Sequence, residues 1–195
     1  MIIIGLTGSI GMGKSTTAAM FAKHGIPIHD ADAVVHELYA SEAVPVVEKK
    51  FPGVAHDGVI DREKLGAMVL GRPEALKTLE AIVHPLVRER EEKFLQDARR
   101  AGEDFAVLEI PLLFETGADE RCDVVVVVTS PPDIQRERVL KRQGMTSQKW
   151  QSILSKQMPD SEKRQKSDFL VETHLGIDHA QMQVNDILAT LRARL

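Results

Sequence analysis

A single cysteine, Cys122, stands among 195 residues, so the chain can form neither an internal disulfide nor a thiolate zinc cluster. Its place just before an apolar run reads as a small core residue. Long apolar runs are also lacking, and no stretch reaches the length needed to span a bilayer. Ile2-Ile3-Ile4 has no basic segment ahead of it and is cut by Gly5, so it is not read as a signal peptide. A cytoplasmic protein is the expectation. Positive charge is in deficit, with 25 Lys and Arg against 29 Asp and Glu, a net charge of -4 and a pI of about 6.0. That balance excludes a whole-surface nucleic-acid binder while leaving room for a local site for a small anion. There is no internal repeat, low-complexity segment or interdomain linker, and one domain with insertions is expected.

What is present begins at the N-terminus. The β-branched run Ile2-Ile3-Ile4 leads into Gly5-Leu6-Thr7-Gly8-Ser9-Ile10-Gly11-Met12-Gly13-Lys14-Ser15-Thr16. Gly8, Gly13, Lys14 and Ser15 fit the phosphate-loop pattern G-x-x-x-x-G-K-[ST] between a strand and a helix. Glycines let backbone N–H groups converge on phosphate oxygens, and the helix N-terminus adds positive dipole. The cradle thus runs from Gly8 through Ile10, Gly11, Met12 and Gly13 to Thr16. Lys14 is expected to reach the β- and γ-phosphates, and Ser15 to place its hydroxyl on Mg²⁺. A nucleoside triphosphate site follows.

Downstream, a helix over 16–24 stops at Gly25, and Ile26-Pro27-Ile28 reads as a strand delivering Asp30-Ala31-Asp32 to its carboxyl end, the edge where open α/β sheets place ligands. A helix is expected over 33–50. Three more are expected over 61–70, 73–83 and 85–101, punctuated by Arg72-Pro73 and His84-Pro85. Phe105–Ile110 and the Val124–Val128 run read as strands, the latter covered on both faces. Ser130-Pro131 supplies an N-cap and an N1 proline for a helix ending near Gln143. Thr146 caps another to Gln157, Phe169-Leu170-Val171 is the last strand, and a helix over 178–194 closes the chain. Strands alternating with helices after a phosphate loop predict a parallel α/β sandwich.

Asp30 and Asp32, spaced by two, would point the same way in an extended segment. Either could act as a base or hold Mg²⁺ through water, while Asp30 could instead cap the following helix. Glu109 ends a strand as a metal-binding acid or as a simply paired one. Arg138 and Arg142, four apart, would share a helix face and could descend on a transferring phosphoryl group, with Glu137 and Lys141 as an ordinary surface pair. Lys156, Lys163, Arg164 and Lys166 form a local basic excess suggesting a polyanionic ligand.

The loop, Asp30-Ala31-Asp32, His84-Pro85-Leu86-Val87-Arg88, Pro111-Leu112-Leu113-Phe114-Glu115 and Arg138 through Arg142 occur in an order that resembles the dephospho-coenzyme A kinases over nearly the whole chain. The resemblance implies a three-layer P-loop sandwich, a helical acceptor-binding insertion over about 31–103 and a helical lid over about 131–167. It implies ATP-dependent phosphorylation of the ribose 3′-hydroxyl of dephospho-CoA. Asp32 matches the proposed general base and Arg138 and Arg142 match lid arginines; Asp32, His84 and Arg88 are expected to bind the acceptor, with a helix-end cap as the other reading of His84. Ser9 departs from a usual glycine, and the Glu172-Thr173 region lacks an asparagine often found after the last strand. Shikimate-type kinases carry a later Gly-Gly motif that is absent here. Guanine-nucleotide switches use Asn-Lys-x-Asp, whereas the only asparagine, Asn185, is followed by Asp186.

Overall fold

A computed structural model describes all 195 residues. The chain divides into two compact units, residues 1–29 with 98–195, and residues 30–97. The first unit is built on a sheet in the order β2-β5-β1-β6-β7, whose strands are β1 (Ile2–Thr7), β2 (Ile28–Asp30), β5 (Phe105–Glu109), β6 (Val124–Thr129) and β7 (Phe169–Glu172). β1 runs parallel to both β5 and β6, and β6 runs parallel to β7. The β-branched residues of β1 and β6 suit central strands covered on both faces.

On one face Ile4, Leu6, Val107, Val126 and Val128 pack with Phe21 of α1 (Lys14–Ala22) and with Val184 and Leu188 of α9 (Ile177–Arg192). On the other, Gly5 lies so close to the 113–122 segment that a β-carbon there would sit 2.7 Å from Cys122 Sγ. Cys122 is half-buried and its thiol meets the Ala118 carbonyl at 3.6 Å. The parallel α/β sandwich and the phosphate loop after its first strand are as expected.

The second unit has its own core, made by Leu38, Val47, Val54, Ile60, Leu65, Leu79 and Val83. The helix expected over 33–50 is two, α2 (Ala31–Leu38) and α3 (Ala43–Lys50). Pro45 is the reason: inside a continuous helix its ring would clash with the carbonyl of residue 41, but in the first turn of a new one its missing N–H costs nothing. Ser41 turns the chain by donating to the Glu37 carbonyl at 2.7 Å. β3 (Ala55–His56) and β4 (Val59–Ile60) then pair antiparallel about Asp57-Gly58. Both turn residues have positive φ, 49° and 78°, as a two-residue hairpin requires. α4 (Arg62–Val69) is capped by Asp61.

The two helices expected either side of His84-Pro85 are one, α5 (Pro73–Arg100), with Pro85 inside. Pro85 and Ala81, whose carbonyl loses its helical partner, are both exposed, so water can take the freed hydrogen bond. In the first unit the cap before α6 (Pro132–Leu140) also shifts by one. Pro131 occupies the N-cap position and Pro132 starts the helix, because the residue ahead of a proline avoids helical backbone. The Ser130 hydroxyl is buried and makes no hydrogen bond. α7 (Ser147–Leu154), capped by Thr146, and α8 (Asp160–Gln165) lead from α6 to β7.

Candidate active site

The phosphate loop follows β1 and is framed by side chains from distant parts of the first unit. Gly8 has no room for a side chain, since a β-carbon would lie 2.6 Å from the Val128 carbonyl oxygen. Gly13 adopts φ 98° immediately before α1, where the left-handed backbone favours glycine. The two peptide groups flanking Ile10 are both held: its N–H donates to Gln157 Oε1 at 3.0 Å, and its carbonyl accepts from Gln135 Nε2 at 2.8 Å. Met12 N–H donates to the Ser9 carbonyl at 3.1 Å, and the Met12 carbonyl accepts from the Thr173 hydroxyl at 2.7 Å. Thr16, the third residue of α1, is exposed.

Lys14 and Ser15, the first two residues of α1, converge on one carboxylate. Glu109 Oε1 lies 2.5 Å from Lys14 Nζ and 2.8 Å from Ser15 Oγ. The Glu109 side chain is 3% exposed and that of Lys14 13%. This follows from register, because Glu109 is the last residue of β5 and pairs with Leu6 of β1. A buried carboxylate keeps its charge only with partners, and the loop lysine and serine supply them. A hydroxyl and a carboxylate at the mouth of a phosphate loop are hard oxygen donors of the kind Mg²⁺ accepts alongside substrate phosphates, so the residues present fit that ion. No cluster of three or more His, Cys, Asp or Glu offers a cage made by the protein alone.

The arginines part company. Arg138, on α6, is bound to one residue: Nη1 donates to Thr173 Oγ1 at 2.7 Å and Nη2 to the Thr173 carbonyl at 2.8 Å. Arg142 does not share its helix face, because α6 ends at Leu140 with Lys141 as the cap. The chain turns tightly there, with Arg142 N–H donating to the Val139 carbonyl at 3.1 Å, and the Arg142 side chain is exposed.

The basic run is not a uniform patch either. Lys163 is fully buried, 3.0 Å from Glu115 and 3.2 Å from the Pro111 carbonyl. Lys166 sits over the Phe114 ring, 5.6 Å from its centroid. Those two are spent on Pro111-Leu112-Leu113-Phe114-Glu115, which holds α8 against the sheet. Glu115 also accepts from Met158 N–H at 2.6 Å, and the Pro111 carbonyl from Thr7 Oγ1 at 3.1 Å.

In the second unit, Asp30 caps α2, its Oδ1 accepting from the N–H groups of Asp32 and Ala33 at 2.9 and 3.1 Å. The strand ends at Asp30, so the extended geometry expected to align the two carboxylates is replaced by a helical turn carrying an exposed Asp32. His84 and Arg88 lie one helical turn apart on α5 and are both exposed. Arg88 Nε is 3.8 Å from Glu92. Because α5 is continuous, His84 does not cap a helix end.

Gln135, Gln157 and Thr173 are contributors that motif reading passed over. The contact from Met12 to Thr173 spans 161 positions, and only the missing asparagine drew notice to that region.

A family model described as dephospho-CoA kinase matches residues 2–178. A dephospho-CoA kinase of Mesorhizobium japonicum is 57% identical over 194 residues, covering 100% of this chain and 98% of that protein. Among solved structures, a Thermus thermophilus protein is 34% identical with a TM-score of 0.85, covering 97% of each chain. A dephospho-CoA kinase from Campylobacter jejuni shares the fold with a TM-score of 0.67 at 23% identity, over 97% of this chain and 96% of its own.

Proposed function

This chain belongs to the dephospho-CoA kinase family, and from that premise we infer that it transfers the γ-phosphoryl group of ATP to the ribose 3′-hydroxyl of dephospho-CoA, giving coenzyme A and ADP. The observation that carries the chemistry is the phosphate loop with Lys14 and Ser15 drawn onto Glu109 at 2.5 and 2.8 Å. The loop N–H groups from Gly8 to Thr16 cradle the phosphates. Lys14 exchanges Glu109 for the β- and γ-phosphates, trading one anionic partner for another. Ser15, with Glu109 beside it, would hold Mg²⁺, and that ion, when bound, supplies charge neutralisation across the phosphates.

Asp32 is assigned the base that orients the acceptor hydroxyl and takes its proton. It lies exposed in the first turn of α2. His84 and Arg88, exposed one turn apart, are assigned to the acceptor, Arg88 as a cation for its phosphates. Arg142 is the arginine assigned to the transferring phosphoryl group, where one well-aimed donor is worth about 10²–10³-fold in kcat. No helix is long and apolar enough to cross a membrane, and we place the enzyme in the cytoplasm, acting on a small molecule with no nucleic-acid partner.

The test is ATP consumption by the purified protein with Mg²⁺, comparing dephospho-CoA, shikimate, gluconate and no acceptor. Turnover with dephospho-CoA alone is expected. Acceptor-independent turnover, or turnover with another alcohol in its place, overturns the assignment.

A further inference from the structure

We propose that Thr173 is a positioning residue for nucleotide binding, pinning the Met12 carbonyl so that the phosphate loop holds its Gly13 N–H in the binding direction, and that Arg138 acts through Thr173. The proposal rests on the nucleotide-kinase reading above. Thr173 follows β7 and is fixed to the sheet, its N–H donating to the Thr129 carbonyl at 3.0 Å. Its hydroxyl has one hydrogen. The Met12 carbonyl at 2.7 Å claims it ahead of the Thr129 carbonyl at 3.4 Å. The oxygen lone pairs are then free to accept from Arg138 Nη1 at 2.7 Å, while Nη2 takes the Thr173 carbonyl at 2.8 Å. This two-pronged grip on one residue orients the hydroxyl, and a donor from a cation polarises it toward the Met12 oxygen.

The consequence lies in the peptide between Met12 and Gly13. In a planar trans peptide the carbonyl and the next N–H point in opposite directions. Tying the Met12 oxygen to Thr173 therefore aims the Gly13 N–H away from Thr173. Gly13 carries φ 98°, a conformation in which glycine has no side chain to hold the peptide plane, so an outside anchor is what fixes it. Thr173 supplies contact as well, since a β-carbon on Gly13 would lie 3.2 Å from Thr173 Cγ2. Arg138, with both terminal nitrogens engaged, is a positioning residue in this arrangement, and Arg142 remains the arginine available to the phosphoryl group.

The test is MgATP affinity by calorimetry for Thr173→Val, which keeps the shape and loses the hydroxyl, and Thr173→Ser, which keeps the hydroxyl and loses a methyl. The valine variant is expected to raise Kd about 10- to 100-fold, the equivalent of a lost hydrogen bond in a charged network. The serine variant should stay within about 4-fold, the worth of one methyl contact. A merely structural role would track melting temperature and would not be rescued by serine. Where valine compromises folding, Thr173→Cys, a weak donor of similar size, takes its place, and weakened MgATP binding there supports the assignment. Wild-type affinity in a folded hydroxyl-free variant, or equal losses in valine and serine, refutes it. Wild-type turnover with dephospho-CoA, measured alongside, reports on the functional reading alone, so the two fail separately.

Discussion

Coupling between Lys14 and Glu109 can be worked from the structure and measured without substrate. The pair is 2.5 Å apart with 13% and 3% of the side chains exposed, and Ser15 Oγ shares the same carboxylate oxygen at 2.8 Å. Such a pair need not stabilise the fold, because desolvating both charges offsets their attraction, but removing one partner strands the other. Lys14→Met retains the apolar stem and leaves the Glu109 carboxylate with Ser15 alone. Glu109→Gln leaves an ammonium facing an amide. A hydrogen bond to a charged group is worth about 1.5–3 kcal/mol, so each single change should cost that much and the double change little more. In a chain of 195 residues each kilocalorie lowers Tm by about 2–4 °C, so each single variant should melt roughly 3–12 °C lower. The assay is a double-mutant cycle by denaturant unfolding of the nucleotide-free protein. A coupling energy of about 1.5 kcal/mol or more is expected. Additive single effects, with coupling below about 0.5 kcal/mol, would refute the claim that the loop lysine is held on Glu109.

Three further predictions follow from the geometry. Asp32→Asn should lower kcat by about 10²–10⁴-fold, the range for losing a general base, with MgATP affinity kept; full activity would remove Asp32 from the mechanism. Lys163→Met removes the fully buried ammonium and leaves the Glu115 carboxylate without its cation, held by the Met158 N–H, so about 3–5 kcal/mol, or roughly 6–20 °C in Tm, should be lost in a thermal melt. A shift under about 2 °C would show that the 111–115 turn does not anchor α8. The second unit should be acid-sensitive. The Ser41 hydroxyl, the backbone and the Arg90 guanidinium hold the Glu42 carboxyl at about 2 against an ordinary 4.5. Backbone N–H groups of Gly53 and Ala55 lower Glu48, and those of Lys64 and Glu63 lower Asp61. Folded values below unfolded ones give stability that is complete above about pH 4.5 and lost as pH falls toward about 2. Carboxyl NMR of Glu42 should titrate near the bottom of that window and move up in Arg90→Ala; a midpoint near 4.5 in the wild type contradicts the assignment.

Local signals were legible where the physics is local. The phosphate loop, the Asp30 cap, the Thr146 cap and the buried valine run of β6 each depend on residues adjacent in sequence, and each is found where the sequence puts it. Pro45 carried an equally local signal, a helix start, that the single helix expected over 33–50 ignored, and Asp57-Gly58 carried a hairpin turn in a stretch, 51–60, for which no element was expected. Pro85 misled in the other direction. An interior proline removes one hydrogen bond and crowds the carbonyl four residues back, and the exposure that lets α5 tolerate this is a tertiary fact. Lys163 looked like one more cation in a basic run, yet it is fully buried, and its partners Pro111 and Glu115 lie about fifty positions away. Still greater separations, 125, 147 and 161 positions, hid Gln135, Gln157 and Thr173. No periodicity or motif links Thr173 to Met12, because β7 reaches the loop only once β6 has paired with both β1 and β7.

The most direct test of the account is the position of the new phosphate. The purified protein, incubated with ATP, Mg²⁺ and dephospho-CoA, should give a single product that proton-coupled phosphorus NMR places on the ribose 3′-oxygen, with one ADP formed per product. Phosphate at another hydroxyl, or ADP formed without a phosphorylated acceptor, would contradict it.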